Sequence, residues 1–187
     1  ISDYAHKNNL IVHVDGARIA NAAAFLGWEN LRLAFQAGCV DVLSFGGTKN
    51  GILGGEAVVF FSKQPEFKFI RKQGMQLASK MRFVSAQFQA LLQDDLWLEN
   101  ARHSNEMATL LAEGLRKISS IQITQKVDAN AVFCVVPNNL IQKLEEEYFF
   151  YVWRELDNAK KEIRLMTSFD TEQSDIERLL KLCGNEG

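Results

Sequence analysis

Lys49 lies in a glycine-rich segment between two short apolar stretches, residues 42–45 and 57–61. Such stretches predict buried strands, and a lysine between them is poorly placed to be a solvated surface charge. Glycine lets the backbone of this segment turn sharply and lets a ligand approach closely. Lys49 is therefore either an amine that forms a Schiff base with a carbonyl cofactor or an ordinary loop lysine beside a hairpin. The spacing of a Walker phosphate loop is absent.

A candidate carboxylate, Asp15, directly follows another apolar stretch at residues 10–14. Helical patterns occupy the sequence between this stretch and residues 41–45, so the order predicts a βαβ crossover with parallel strands. Ligands collect at the carboxyl ends of parallel strands in open α/β sheets. Asp15 is thus a candidate for chemistry, and a helix N-cap is the alternative role.

Composition limits the classes of function. The 187 residues are 47% hydrophobic and 24% charged, which is typical of a soluble globular protein. A net charge of -2 gives no electrostatic case for nucleic acid or an anionic membrane, and no apolar run is long enough to span a bilayer. Cys39, Cys134 and Cys183 match no metal-site spacing; we interpret them as small buried hydrophobic groups in a reducing, cytoplasmic compartment.

The helical pattern that starts near residue 84 is longer than most globular helices. It either breaks near Asp94 or connects two lobes. We therefore expect three segments: an α/β domain portion at residues 1–83 with a mainly parallel sheet, a helical connection at 84–118, and a small α+β domain at 119–187. The last segment is expected because strand and helix patterns follow in the order strand, strand, helix, strand, strand, helix.

Asp15, Lys49 and Arg164 together suit a pyridoxal phosphate enzyme. The lysine amine can bind the cofactor aldehyde, and a carboxylate beside the pyridine nitrogen keeps that nitrogen protonated. The protonated ring accepts electrons from a carbanion at the substrate α-carbon. An arginine can grip an amino-acid carboxylate through two parallel hydrogen bonds.

The sequence resembles the low-specificity L-threonine aldolases, which belong to the β-eliminating lyase group with the aspartate aminotransferase fold (fold type I). Residues 13–22 (HVDGARIANA) resemble their aspartate motif, and residues 44–55 resemble their Schiff-base lysine segment. Residues 80–83 (KMRF) resemble the start of their interlobe helix, and residues 163–167 (IRLMT) their small-domain arginine strand. The order and spacing agree over essentially the whole chain.

The resemblance implies how the cofactor, pyridoxal 5′-phosphate, is bound. Asp15 would pair with the pyridine nitrogen, and Lys49 would be the Schiff-base lysine. Thr48 would contact the cofactor phosphate, and Arg82 would approach the phosphate or a neighbouring subunit's site. The family more often has Ser-Lys-Gly where this chain has Thr48-Lys49-Asn50. Threonine keeps the hydroxyl, and asparagine tolerates positive φ better than most residues.

The resemblance also implies the reaction. Arg18 and Arg164 would hold the carboxylate of a β-hydroxy-α-amino acid, and cleavage of the Cα–Cβ bond of threonine or allo-threonine would give glycine and acetaldehyde. We therefore expect a cytoplasmic lyase of amino-acid metabolism and glycine biosynthesis, a homodimer or homotetramer without a metal. The alternatives are another fold-type-I enzyme, such as a β-eliminating lyase or racemase, and a non-catalytic fragment or paralogue.

The family's N-terminal half carries a Gly-Thr phosphate loop, a histidine stacked on the cofactor ring and a serine that contacts the carboxylate. None of these occurs in the 187 residues, so we expect this chain to be the C-terminal part of a longer protein. We interpret His13, on the stretch before Asp15, as a hydrogen-bonded histidine in the core or behind the site. Trp28, Trp97 and Trp153 are interpreted as core or interface residues rather than stacking platforms.

Overall fold

The computed structural model describes residues 1–28 and 30–184, with only the backbone described at residues 32 and 33. Glu29 and the last three residues of the predicted 119–187 domain lie outside the described residues. The chain divides into two compact units, residues 1–99 and 100–187. The first unit contains helices α1 (Ser2–Lys7), α2 (Ile19–Leu26), α3 (Leu31–Ala37), α4 (Phe67–Gln73) and α5 (Met81–Leu92), and strands β1 (His13–Gly16), β2 (Val42–Gly46) and β3 (Glu56–Phe60).

The sheet of the first unit has the order β1-β2-β3. β1 and β2 are parallel across α2 and α3, which confirms the predicted βαβ crossover, and β3 is antiparallel to β2. β1 begins at His13 rather than at residue 10, and Ile11 is 74% exposed. The expectation of a buried strand is wrong for this stretch, because no residue from 10 to 14 is buried. Among the described residues β1 is an edge strand, so one of its sides meets no neighbouring strand and it is less enclosed than a central strand.

The long helical pattern breaks where Asp94 adopts φ 51°, inside a 3₁₀ turn at Gln93–Asp95. Helix α6 (Leu96–Leu115) starts after this turn, and the boundary between the two units falls within it, after Glu99. The division into 1–83, 84–118 and 119–187 stays a prediction.

The second unit is a four-stranded antiparallel sheet with helices packed on one face. Its strand order is β4-β5-β7-β6. Side chains of α6 and of the two helices that follow pack with alternate residues of the central strands, and the members include Leu115, Leu144 and Ile163. The elements are β4 (Gln122–Ile123), β5 (Ala131–Pro137), α7 (Asn138–Glu145), β6 (Tyr151–Glu155), β7 (Lys160–Met166) and α8 (Gln173–Gly184).

Two of the three cysteines are small buried core residues, as expected. Cys134 and Cys183 lie in the core of the second unit, and burial raises the pKa of the Cys134 thiol to about 12. A thiol with such a pKa stays protonated near neutral pH and is a poor nucleophile. The prediction is wrong for Cys39, which is exposed after α3 in a turn with φ 51°.

Candidate active site

Asp15 and the lysine segment lie at the same edge of the first sheet. In the parallel register of β1 and β2, Asp15 stands opposite Ser44, two residues before β2 ends. The Asp15 side chain is exposed, and its Oδ1 accepts a hydrogen bond from the backbone N–H of Ala17 at 3.1 Å. The carboxylate is therefore oriented by its own loop and remains accessible at the carboxyl end of the strand.

Two glycines allow the loop after β1 to pack directly on the end of β2. A Cβ at Gly16 would lie 2.5 Å from the carbonyl oxygen of Ser44, and a Cβ at Gly46 would lie 2.5 Å from that of Ala17. Real Cβ atoms do not approach backbone so closely, so only glycine fits at either position. At Gly46 the close neighbour is protein backbone rather than a ligand. The two glycines bring the Asp15 loop beside the segment that leads to Lys49.

Lys49 lies on the outer side of a short 3₁₀ turn, Thr48–Asn50, that follows β2. Its side chain is exposed, whereas Asn50 is only 4% exposed. The Asn50 Nδ2 donates a hydrogen bond of 2.9 Å to the carbonyl oxygen of Trp97 in α6. The turn is therefore fixed from its buried side, which leaves the Lys49 amine facing outward.

Thr48 uses its hydroxyl to close the glycine-rich loop. Its Oγ1 accepts a hydrogen bond from the Gly55 N–H at 3.0 Å and also lies 3.3 Å from the Gly55 carbonyl oxygen. The loop is held further by Gln87 of α5, whose Oε1 accepts from the Leu53 N–H at 2.8 Å. The predicted contact of Thr48 with a cofactor phosphate stays a prediction. The hydroxyl oxygen already takes part in two backbone contacts.

A pair formed by His13 and Ser44 was not expected from the sequence. His13 Nε2 and Ser44 Oγ are joined by a hydrogen bond of 2.9 Å across β1 and β2. His13 is hydrogen bonded, as expected, but exposed rather than in the core. Because side chains alternate along a strand, His13 projects to the same face as Asp15, two residues on. A serine within the apolar stretch of β2 was the only available signal for this pair.

The two arginines of the first unit that the sequence assigned to the site lie at helix starts. Arg18 is the N-cap residue of α2, three residues after Asp15, and is half-buried. Arg82 lies in the first turn of α5 and is exposed, with its guanidinium carbon 5.1 Å from the centre of the Phe83 ring. The structure thus brings Arg18 to the edge that carries Asp15 and Lys49. The roles of both arginines stay predictions.

Arg164 belongs to the second unit, at the middle of β7. It stands opposite Phe133 on β5 and Tyr151 on β6, and these side chains share the sheet face that does not carry the helices. Its guanidinium carbon lies within 5.3 Å of the ring centres of both Tyr151 and Trp153. Trp153 is 50% exposed, so it is not a core residue, and its assignment to an interface stays a prediction. Trp97 is 6% exposed and is a core residue, as expected.

An apolar pocket of about 530 Å³ in the first unit lies on the other face of the sheet from Asp15. Its lining includes Leu43, Phe45 and Val59, which alternate along the strands with residues of the Asp15 face. It offers no group for acid–base or carbonyl chemistry. Within residues 1–28 and 30–184, no group of three or more side chains could hold a metal ion, and no helix is both long and apolar enough to cross a membrane.

The edge of the first sheet carries the groups that pyridoxal phosphate requires. An exposed amine follows the end of β2, a carboxylate lies at the end of the adjacent parallel strand, and a hydroxyl precedes the amine. These groups are of the types that suit the aldehyde, the ring nitrogen and the phosphate of the cofactor. In the second unit, Arg164 has a buried Nε without a hydrogen-bond partner among the described residues, and an arginine suits the carboxylate of an amino acid. Together with the α+β unit, the fold is a portion of the fold-type-I architecture of pyridoxal phosphate enzymes.

Comparison with known proteins defines the family. Residues 1–139 match the family model described as beta-eliminating lyase. The chain is 43% identical over 185 residues to a low specificity L-threonine aldolase of Pseudomonas aeruginosa, covering 97% of this chain and 51% of that protein. It is 40% identical over 182 residues to a protein of the same name from a Pseudomonas species, covering 96% of this chain and 51% of that one. The chain belongs to the beta-eliminating lyase family.

A solved structure agrees with this assignment. The threonine aldolase of Leishmania major superposes with a TM-score of 0.87 at 29% identity, covering 97% of this chain and 53% of that chain. The chain therefore spans about half the length of the curated relatives it matches, and the predicted fold class is confirmed.

Proposed function

We propose that the protein containing this chain is a pyridoxal phosphate-dependent lyase that cleaves the Cα–Cβ bond of β-hydroxy-α-amino acids. L-Threonine or L-allo-threonine would be converted to glycine and acetaldehyde. The observation that carries the proposal is the parallel register of β1 and β2, which puts Asp15 and the Lys49 turn at one sheet edge. The two Pseudomonas relatives, named as threonine aldolases, support the choice of reaction.

The predicted cofactor-binding residues of the first unit would bind different parts of the cofactor. Lys49 would hold the cofactor covalently through Nζ, and the exposed position of this side chain on a fixed turn suits that task. Asp15 would keep the pyridine nitrogen protonated, because a nearby carboxylate favours the charged form of a base. Thr48 would contact the phosphate, and Arg82 would approach the phosphate or a neighbouring subunit's site. When bound, the cofactor supplies an electron sink for the charge that bond cleavage leaves on Cα.

Arg18 and Arg164 would bind the substrate carboxylate. The planar guanidinium group of arginine matches a carboxylate through two parallel N–H···O hydrogen bonds and fixes its orientation. Arg18 is held at the start of α2 by the same loop that orients Asp15. Orientation of the substrate matters for this reaction, because the bond that breaks must be aligned with the electron-accepting system.

The surroundings of the site suggest a cytoplasmic homodimer or homotetramer that contributes to glycine biosynthesis. Large apolar side chains are exposed, among them Leu53 next to the lysine turn at 93% and Phe149 at 86%. Exposed apolar groups of this size favour burial against further protein surface, which either the rest of a longer chain or another subunit would supply. The free cysteines are those of a protein in a reducing compartment, and the net charge of -2 favours neither nucleic acid nor an anionic membrane as a partner.

The test uses the full-length protein that contains this chain. We expect it to retain pyridoxal phosphate, to release acetaldehyde from L-threonine, and to carry the cofactor covalently on Lys49 after borohydride reduction. Lys49→Ala should fold normally and lose turnover, whereas the control Lys72→Ala, also an exposed lysine, should keep it. Pyruvate from serine would indicate a β-eliminating lyase instead, epimerisation a racemase, and absence of cofactor absorbance a non-catalytic protein.

A further inference from the structure

Arg164 is held by aromatic rings. Its guanidinium carbon lies 5.2 Å from the ring centre of Tyr151 and 5.3 Å from that of Trp153, within the range of about 6 Å for cation–π attraction. Its Nε is buried and has no hydrogen-bond partner among the described residues. The two rings thus restrain the guanidinium group, and within the part of the chain that the structure describes no carboxylate forms a salt bridge with it.

The pairing of β6 with β7 accounts for this arrangement. Tyr151 faces Arg164 across the ladder, and Trp153, two residues further on, projects to the same face, so both rings reach the cation. A β-bulge follows at Trp153, because the register passes from Val152 opposite Ile163 to Arg154 opposite Glu162. The bulge thus brings Arg154 opposite Glu162.

The neighbouring acidic side chain, Glu162, is engaged by groups other than Arg164. Glu162 lies two residues before Arg164 on β7, on the same face of the sheet, and could compete with a ligand for the guanidinium group. Because of the bulge, Arg154 stands opposite Glu162, with its Nε 3.8 Å from Oε2. The hydroxyl of Thr124 donates to Oε1 of Glu162 at 2.5 Å. Glu162 is therefore engaged on both oxygens.

The buried Nε also fixes the direction from which a carboxylate can bind. A carboxylate contacts arginine either through Nε and one Nη or through both Nη atoms. Because Nε is buried, a carboxylate cannot bind through Nε and one Nη. The residue as a whole is only half-buried, so binding through both Nη atoms stays open. Both rings are themselves supported: Trp153 meets the Phe133 ring edge-on at 5.2 Å, and Tyr151 meets that of Phe149 at the same distance.

We propose that Tyr151 and Trp153 form an aromatic clamp that positions Arg164 for two-point binding of the substrate α-carboxylate through its Nη atoms. The clamp rests on the proposed function, and its two residues act through Arg164 rather than on the substrate. Restricting the guanidinium group before binding reduces the entropy lost when the carboxylate docks. Loss of the clamp should therefore weaken carboxylate binding and leave the bond-breaking step almost unchanged.

The experiment compares Trp153→Leu and Trp153→Phe with wild type in the full-length protein. For Trp153→Leu we expect the KM for L-threonine and the Kd for glycine to rise about fivefold, with kcat within about twofold. Trp153→Phe keeps an aromatic face and should retain most of the affinity. The inhibition constant of L-threoninol, which lacks the carboxylate, should not change. Val152→Ala, between the two clamp residues on the strand, is the matched control and should behave like wild type.

The outcomes separate the clamp from the proposed function. The clamp alone is overturned if the wild-type protein binds glycine and cleaves threonine and Trp153→Leu has the same KM for L-threonine and the same Kd for glycine. The clamp is also overturned if the inhibition constant of L-threoninol and the KM for L-threonine rise equally in Trp153→Leu, because the effect would then not depend on the carboxylate. A wild-type protein that binds no amino acid overturns the proposed function and the clamp with it. If Trp153→Leu does not fold, Tyr151→Leu, at a position 55% exposed, gives the same comparison.

Discussion

Gly46, the last residue of β2, has no room for a side chain. A Cβ built there would lie 2.5 Å from the carbonyl oxygen of Ala17 and 2.7 Å from its Cα. Both neighbours are backbone atoms, so no side-chain rotation can relieve the clash in Gly46→Ala. Either the end of β2 or the loop after β1 must move, and these segments carry Lys49 and Asp15.

We expect Gly46→Ala to lower the free energy of unfolding by about 3 kcal/mol, the upper end of the range for inserting extra atoms into packed structure. The upper end applies because the added Cβ would clash with the backbone of Ala17, which cannot move aside by a side-chain rotation. We also expect threonine cleavage to fall by about 10- to 100-fold, since displacements of about 1 Å at a site have effects of this size. Urea unfolding and steady-state kinetics of the full-length protein measure the two effects.

Gly54→Ala is the matched control, because it makes the same chemical change in the same glycine-rich segment. A Cβ at Gly54 would meet nothing within 4 Å, and Gly54 has no positive φ that would strain an alanine. We expect this variant to unfold at the wild-type urea concentration or slightly above it. If the two variants differ by less than about 1 kcal/mol, the packing argument for Gly46 is wrong.

Two carboxylates give further predictions. Asp15→Asn should lower turnover by about 100- to 1000-fold, the scale of losing a dominant electrostatic interaction, while folding survives because the asparagine oxygen can still accept from the Ala17 N–H; a near-normal turnover would show that Asp15 only orders its loop. The pKa of Asp41 is lowered, first by the hydrogen bond from the Val12 N–H and then by the one with His6. Its stabilising effect is therefore complete above the ordinary value of 3.8 and is lost as the pH falls through the lowered pKa. The stability difference between wild type and Asp41→Asn should shrink on acidification below that value in urea titrations, and a pH-independent difference would contradict this.

The sequence was sufficient to place Asp15 and Lys49 at one sheet edge. Strand, helix and strand in close succession permit few topologies, and parallel strands joined by a crossover end on the same side. The observed register of β1 and β2 confirms this placement. The prediction needed only the order of elements along the chain, which local apolar patterns reveal.

Features that depend on register across strands were not predictable in the same way. The surroundings of Arg164 depend on how β6 pairs with β7, and no local pattern in residues 149–155 indicates that the rings of Tyr151 and Trp153 lie against this cation. Trp153 was therefore assigned to the core or an interface. His13 was assigned to the core or to a position behind the site because it lies on an apolar stretch, whereas its exposure depends on which strands flank β1.

Asn50 shows how a departure from the family pattern can have a structural reason. The sequence suggested that asparagine replaces glycine after the lysine because it tolerates positive φ, and this explanation is wrong: Asn50 is not among the residues with positive φ, and Gly51 adopts φ 113° instead. The side chain of Asn50 ties the lysine turn to the carbonyl of Trp97, whose ring packs edge-on against Phe45 of β2 at 6.2 Å. β2, the lysine turn and the first turn of α6 are thereby joined, so a displacement of that helical turn would reach Lys49 through a single buried amide.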